Sequence, residues 1–96
     1  MVATGVYVRH QERDAMIDVV MPQLGEDIAE ATVSQWLVRV GDAVVKDQPL
    51  LEVETSKADV EIPSPTNGVV EAIVAAVGAT VAKGDLLCRI DETRTG

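Results

Sequence analysis

"ATVSQWLVRVGDAVVKDQPLLEVE", residues 31–54, decides the fold, because the chain repeats it. Slid by 37 residues, it lies on "GVVEAIVAAVGATVAKGDLLCRID", residues 68–91. Val33 falls on Val70, Val40 on Val77, Gly41 on Gly78 and Val44 on Val81. Lys46 then falls on Lys83, Leu50 on Leu87, Val53 on Ile90 and Glu54 on Asp91. A Val-rich chain matches itself loosely by chance, but chance does not also align both glycines and both lysines. Two copies of a motif this short cannot each enclose a core, so they are predicted to pack face to face. Gly41 and Gly78 read as turn residues that need positive φ. Upstream, "VMP" (20–22) matches "EIP" (61–63) at an offset of 41. That offset gives the first half four extra residues, within "QLGEDIAEA" (23–31).

Outward from the repeat, the period is close to two and β-branched residues recur. "IDVVMP", "ATVSQWLV", "LLEVE", "DVEIP", "GVVEAIV" and "LLCRID" read as short strands punctuated by Gly, Pro, Asp and Asn. No segment keeps a helical period over the ten to twelve residues a helix needs. The expectation is an all-β sandwich or barrel. With one Trp, one Tyr and no Phe, its core must be built from Val, Ile, Leu and Ala.

The 96 residues suffice for one small domain. A net charge of −8 argues against nucleic acid, since little here would displace phosphate counterions, and favours partners with basic surfaces. No apolar run approaches the roughly 20 residues that cross a bilayer. A single cysteine cannot form an internal disulfide, which fits a reducing compartment: bacterial cytoplasm, or the mitochondrial matrix in a eukaryote. Residues 1–15, "MVATGVYVRHQERDA", fall outside the pattern and read as a flexible extension. They resemble neither a secretory signal nor a transit peptide. Met16 opens the patterned region and is a candidate start; residues 16–92 form the domain, and 93–96 a tail or the start of a linker. His10, alone in the extension, has no partner ligand for a metal.

The two copies meet at "ETSKADVEIPSP", residues 54–65. Pairing Leu51 with Ile62, Val53 with Val60 and Glu54 with Asp59 puts the apolar residues on one face. Glu52, Glu54, Asp59 and Glu61 then share the other. Thr55 and Ala58 close the turn, and Ser56 and Lys57 form its tip. Ser-Lys suits a type I turn, not the primed turns that match strand twist, so the sandwich beneath is expected to hold it. Lys57 is the only basic residue between Lys46 and Lys83. It shows neither an apolar pocket nor a neighbouring cation that would make its amine catalytic. A tip lysine of this kind reads as one presented to a modifying enzyme. Lys46, Lys83 and their turns read as solvated; Cys88, aligned with Leu51, as a buried inert thiol. Trp36, aligned with Ile73, and Met21, aligned with Ile62, read as packing residues.

"MPQLGE", "GDAV", "VETSKA" and the P-x-x-G of residues 65–68 together resemble the lipoyl domain of the dihydrolipoamide acyltransferase (E2) components of 2-oxoacid dehydrogenase complexes. The resemblance runs from about Ile17 to Asp91. Ser56 stands where the familiar ETDKA motif has Asp. The resemblance implies a flattened barrel or sandwich of two four-stranded sheets related by a pseudo-twofold axis (a barrel-sandwich hybrid). It also implies lipoic acid joined by an amide to Lys57 through a lipoate ligase or lipoyl transferase. The arm would take acyl groups from a thiamine-dependent E1, deliver them at the E2 acyltransferase site and be reoxidised by the E3 dihydrolipoamide dehydrogenase. The domain itself would be a carrier and not a catalyst. Glu54, Thr55, Ser56, Ala58 and Asp59 around the lysine, with Gly25, Glu26, Asp27 and Ile28 in the long first-half loop, are the residues expected to be recognised by ligase or E1. Two alternatives remain open. Biotinyl carrier domains of biotin-dependent carboxylases share the fold and the lysine hairpin, though methionines usually flank their lysine. A lipoyl-like module could also serve, unmodified, as an adaptor. The lipoylated glycine-cleavage H protein is longer and carries helices missing here.

Overall fold

A computed structural model describes residues 16–26 and 28–94. The extension 1–15, with His10, lies outside the described residues, as do Asp27 and residues 95–96. Eight strands follow one another: β1 Met16–Val20, β2 Glu30–Trp36, β3 Ala43–Val44, β4 Pro49–Glu54, β5 Asp59–Pro63, β6 Gly68–Ile73, β7 Thr80–Ala82 and β8 Leu86–Asp91. Two of them, β3 and β7, are too short to announce themselves by alternation; they fall inside "GDAV" and "GATVA". The strands form two four-stranded antiparallel sheets, ordered β1-β8-β6-β3 and β5-β4-β2-β7. No ladder joins the two sheets among the described residues, so the architecture is a sandwich.

The repeat is visible in the ladders. Val33 faces Val53 as Val70 faces Ile90, and each pair is followed by a register shift. Ala31 faces Val81 as Gly68 faces Val44. The copies are not one sheet each, however, as simple face-to-face packing predicts. Each sheet takes strands from both halves, with β1 and β3 of the first copy flanking β8 and β6 of the second. Neither half can close without the other.

The upstream offset is also corrected. Val19 faces Cys88 as Ile62 faces Leu51, which sets β1 on β5 at 43 residues and not 41. The Met21 N–H bonds the Asp85 carbonyl at 2.8 Å, just as the Ser64 N–H bonds that of Gln48 at 2.8 Å. Met21 therefore answers Ser64, and Ile62 answers Val19. The first half exceeds the second by six residues (43 against 37), all between Pro22 and β2.

Inward positions of both copies fill one core. Leu50 and Leu87, Leu51 and Cys88, and Val53 and Ile90 are each 0% exposed. Burying an aliphatic side chain of this size contributes about 1.5–3 kcal/mol. Trp36 is half-buried, and its indole N–H donates to the Ala75 carbonyl at 2.7 Å, a link that its counterpart Ile73 cannot make. Ser64, 1% exposed, satisfies its hydroxyl by donating to the Thr66 carbonyl at 2.6 Å. Gly41 and Gly78 adopt φ of 96° and 91°, as the repeat predicts. A second matched pair, Asp47 and Gly84, has φ of 75° and 89°. Asp tolerates the left-handed region better than most side chains, so the turn survives there without glycine.

Candidate functional site

The β4–β5 hairpin has the register expected from its alternation: Leu51 opposite Ile62, Val53 opposite Val60, Glu54 opposite Asp59. Leu51, Val53 and Ile62 are buried beneath it. Glu52, Glu54, Asp59 and Glu61 lie on the outer face; the Ser34 hydroxyl donates to the Glu52 carbonyl at 3.0 Å and reaches its carboxylate at 3.2 Å. At the tip, Ser56, Lys57 and Ala58 are exposed.

The tip turn is unprimed. Ser56 and Lys57 are absent from the residues with positive φ. The strands beneath carry the turn as far as the Glu54–Asp59 pair, and across the tip itself the bonds come from Thr55. The Thr55 N–H donates to the Ala58 carbonyl at 2.9 Å. Its hydroxyl donates to the same carbonyl at 2.8 Å. It accepts from the Lys57 N–H at 3.1 Å and from the Ala58 N–H at 3.0 Å. A hydroxyl offers one donor and two lone pairs, and all three are used here. The signal for this was present in the sequence: Thr two residues before the lysine can fold back onto the turn as Ser and Thr commonly do.

Two other lysines occupy turns, and those turns differ. Lys46 and Lys83 each precede a residue of positive φ, Asp47 or Gly84. The N–H of that next residue is bonded to a neighbouring segment, Asp47 to the Ser64 carbonyl and Gly84 to that of Met21, both at 2.8 Å. Lys83 also donates through Nζ to Gln23 Oε1 at 3.2 Å.

Beside the hairpin tip runs the long first-half loop. Ile28 to Thr32 and Glu54 to Ser56 line an open groove of about 410 Å³. The structure thus brings Ile28 together with Glu54, Thr55 and Ser56. Gly25 and Glu26 stand back from the groove; the Ile28 N–H bonds the Gly25 carbonyl at 3.3 Å. Asp27 lies outside the described residues. Among the described residues, no group of three His, Cys, Asp or Glu side chains is arranged to hold a metal, and no helix is long and apolar enough to cross a membrane. Cys88 sits in the core, where burial pushes its thiol up to about 11. Such a thiol stays protonated and is a poor nucleophile.

Residues 17–90 match the Biotin_lipoyl family model, described as "Biotin-requiring enzyme". The chain is 50% identical over 78 residues to the dihydrolipoyllysine-residue acetyltransferase component of the pyruvate dehydrogenase complex of Corynebacterium glutamicum, covering 81% of this chain and 12% of that protein. It is 42% identical over 81 residues to the dihydrolipoyllysine-residue succinyltransferase component of the 2-oxoglutarate dehydrogenase complex of Cupriavidus necator, covering 84% and 20%. It thus spans a fifth or less of these relatives. The solution structure of the lipoyl domain of the 2-oxoglutarate dehydrogenase complex from Azotobacter vinelandii superposes with a TM-score of 0.63 at 36% identity, covering 77% of this chain and 94% of that one. The chain belongs to the Biotin_lipoyl family, and within it to the lipoyl domains of E2 acyltransferase components.

Proposed function

We propose that Lys57 carries a covalently attached lipoyl group and that the domain ferries acyl groups between the active sites of a 2-oxoacid dehydrogenase complex. The observation that carries this is the placement of an exposed lysine at the end of a hairpin whose base is locked into the core. The residues fit the group. Amide formation needs a solvent-accessible lysine with room around it, and Lys57 is exposed between the small residues Ser56 and Ala58. In the modification, Lys57 Nζ attacks the carbonyl of a lipoyl adenylate, which a ligase makes from lipoic acid and ATP. The amide bond forms, the bond to AMP breaks, AMP departs and the amine gives up a proton. Once bound, the group supplies reversible acyl and electron transfer at its two sulfurs. The protein's share is mechanical: β4 and β5 hold the tip, and the groove side offers Ile28 and Glu54 as a surface that partners can read. Those partners are a lipoate ligase or lipoyl transferase, the thiamine-dependent E1, the E2 catalytic domain and E3. In this reading the domain is a carrier and not a catalyst.

Incubation with lipoate ligase, lipoic acid and ATP should raise the intact mass by one lipoyl group, mapped by peptide sequencing to Lys57. Lys57→Arg should abolish the gain while leaving the melting temperature unchanged. Modification of the variant at another lysine, or transfer of biotin by a biotin ligase, would overturn the reading.

A further inference from the structure

We infer that Thr55 is the positioning residue that makes Lys57 a ligase substrate: its hydroxyl holds the tip in the one turn that the ligase accepts. The inference rests on the lipoyl reading above and deepens it. The strand ladder stops at the Glu54–Asp59 pair and leaves a four-residue link, 55–58, in which Ser-Lys by itself fixes no single turn. The Thr55 hydroxyl ties this link with three hydrogen bonds, at 2.8, 3.1 and 3.0 Å. Two of them fix backbone N–H groups, those of Lys57 and Ala58, and so set the direction in which the Lys57 stem leaves the chain. Thr55 touches no reacting atom. It acts through the backbone of the residue that does.

The other turn lysines sharpen the point. Lys46 and Lys83 stand one residue before a left-handed residue, in turns pinned to the Ser64 and Met21 carbonyls. Lys57 stands in a turn of another type, with Thr55 bonded across it. An enzyme that reads backbone shape can therefore separate one exposed lysine from two others without reading flanking charge.

A turn that only positions Lys57 acts on KM and not on kcat. If the competent turn is populated to a fraction f, the apparent dissociation constant rises as 1/f, while the bound complex reacts as before. Thr55→Val keeps shape and removes the hydroxyl; Thr55→Ser keeps the hydroxyl and removes the methyl. With lipoate ligase, lipoic acid and ATP, Thr55→Val should raise the KM for the domain at least tenfold with kcat within twofold of the parent. Thr55→Ser should restore KM to within about threefold. Acetylation of Lys57 by a small activated ester, which reads no turn, should match in all three proteins. The 15N order parameters of Ser56 and Lys57 should drop in Thr55→Val and recover in Thr55→Ser, with a cooperative transition lowered by only a few degrees showing that the core is intact. Thr55→Val modified as efficiently as the parent would overturn the inference. So would a fall in kcat at constant KM, or a loss of modification with undiminished order parameters, since either means direct contact between the hydroxyl and the ligase. A parent domain that the ligase leaves unmodified overturns the carrier reading itself, a distinct result.

Discussion

The pseudo-twofold relates the two ends of the sandwich, and they are built differently. At one end, β6 follows β5 after a four-residue link, 64–67, and Gly68 lets β8 come close. A Cβ at Gly68 would lie 2.5 Å from the Asp91 carbonyl oxygen. The Thr66 hydroxyl bonds the Glu92 carboxylate across the gap. Arg94, the chain position that answers Lys57 at an offset of 37, reaches Glu71 at 3.3 Å. This end is closed. At the other end, six more residues precede β2, Ala31 stands where the repeat has Gly68, and a groove of about 410 Å³ opens along Glu54 to Ser56. The core positions stay paired throughout. Symmetry supplies the framework, and its largest departure in length, six residues, lies beside the lysine hairpin.

In the core the two copies are paired but not identical. Leu51 and Cys88 are both 0% exposed, yet only Cys88 titrates. Burial raises it from 9.0 to about 11, so the folded chain keeps a proton that the unfolded chain releases first. The stability tied to this group is intact below about pH 9 and is lost as pH rises toward about 11. A shift of this size corresponds to about 2–3 kcal/mol at the alkaline limit. Cys88→Val, near in volume, should lack that decline. Urea unfolding of parent and variant across this range checks it, since all other titrations are common to both and cancel. Parallel declines would show that the thiol does not titrate on unfolding.

The closed end offers the next test. Gly68→Ala forces a methyl against backbone, which has nowhere to retreat, and should destabilise by about 1–3 kcal/mol. Ala31→Gly, its counterpart at the open end, brings no clash and should cost about 1–2 kcal/mol, from backbone entropy and the loss of one buried methyl. Equal effects in thermal unfolding would mean that the two ends are packed alike.

The open end can be trimmed towards the closed one. Deleting Gly25–Ile28 removes four of the six extra residues and the Ile28 side of the groove. The fold should survive, since the deleted segment lies between strands. After lipoylation, reductive acylation by the cognate E1 should fall at least tenfold, about 1.4 kcal/mol in transition-state stabilisation. Free lipoamide should react as before. A trimmed domain acylated at the parental rate would move recognition from the loop to the hairpin.

The parts of the molecule legible in sequence were those where chemistry and period agree. The hairpin register followed from carboxylates that cannot face a core, and the glycine turns from residues that recur at one offset. The offset of β1 is obscured in sequence because "VMP" matches "EIP" and so sets Pro22 on Pro63. Its true counterpart, Pro65, follows Ser64, a buried serine whose hydroxyl is satisfied by Thr66, so Met21 and Ser64 share a position without sharing chemistry. The interleaving of the copies is only half legible: the β4–β5 hairpin joins them in plain view, whereas β3 and β7, strands of two and three residues, have almost no period to read. At the site, Lys57 stands out by isolation, whereas Thr55 offers only the general tendency of Thr to fold back onto a turn, and its three hydrogen bonds come from the coordinates.

The smallest effect concerns the carboxylates that flank the tip. Glu54 and Asp59 face each other across the hairpin, with Glu52 opposite Glu61 behind them. Like charges directly opposite one another weaken a sheet by about 0.2–1 kcal/mol, so folding alone gives no reason to keep them. The closed end makes the contrast. There the outer face is balanced by Arg89, 3.1 Å from Asp18, and by Arg94 near Glu71. A surface left acidic next to a lysine suits a partner that approaches with basic residues, and such steering acts on association and fades with salt. Glu54→Gln and Asp59→Asn should therefore leave the melting temperature equal or slightly higher. Lipoylation should slow severalfold at low ionic strength and converge on the parental rate as salt is raised. Rates that match the parent at every ionic strength would make this pair a solvated face, and the lysine end would then differ from its counterpart in shape alone.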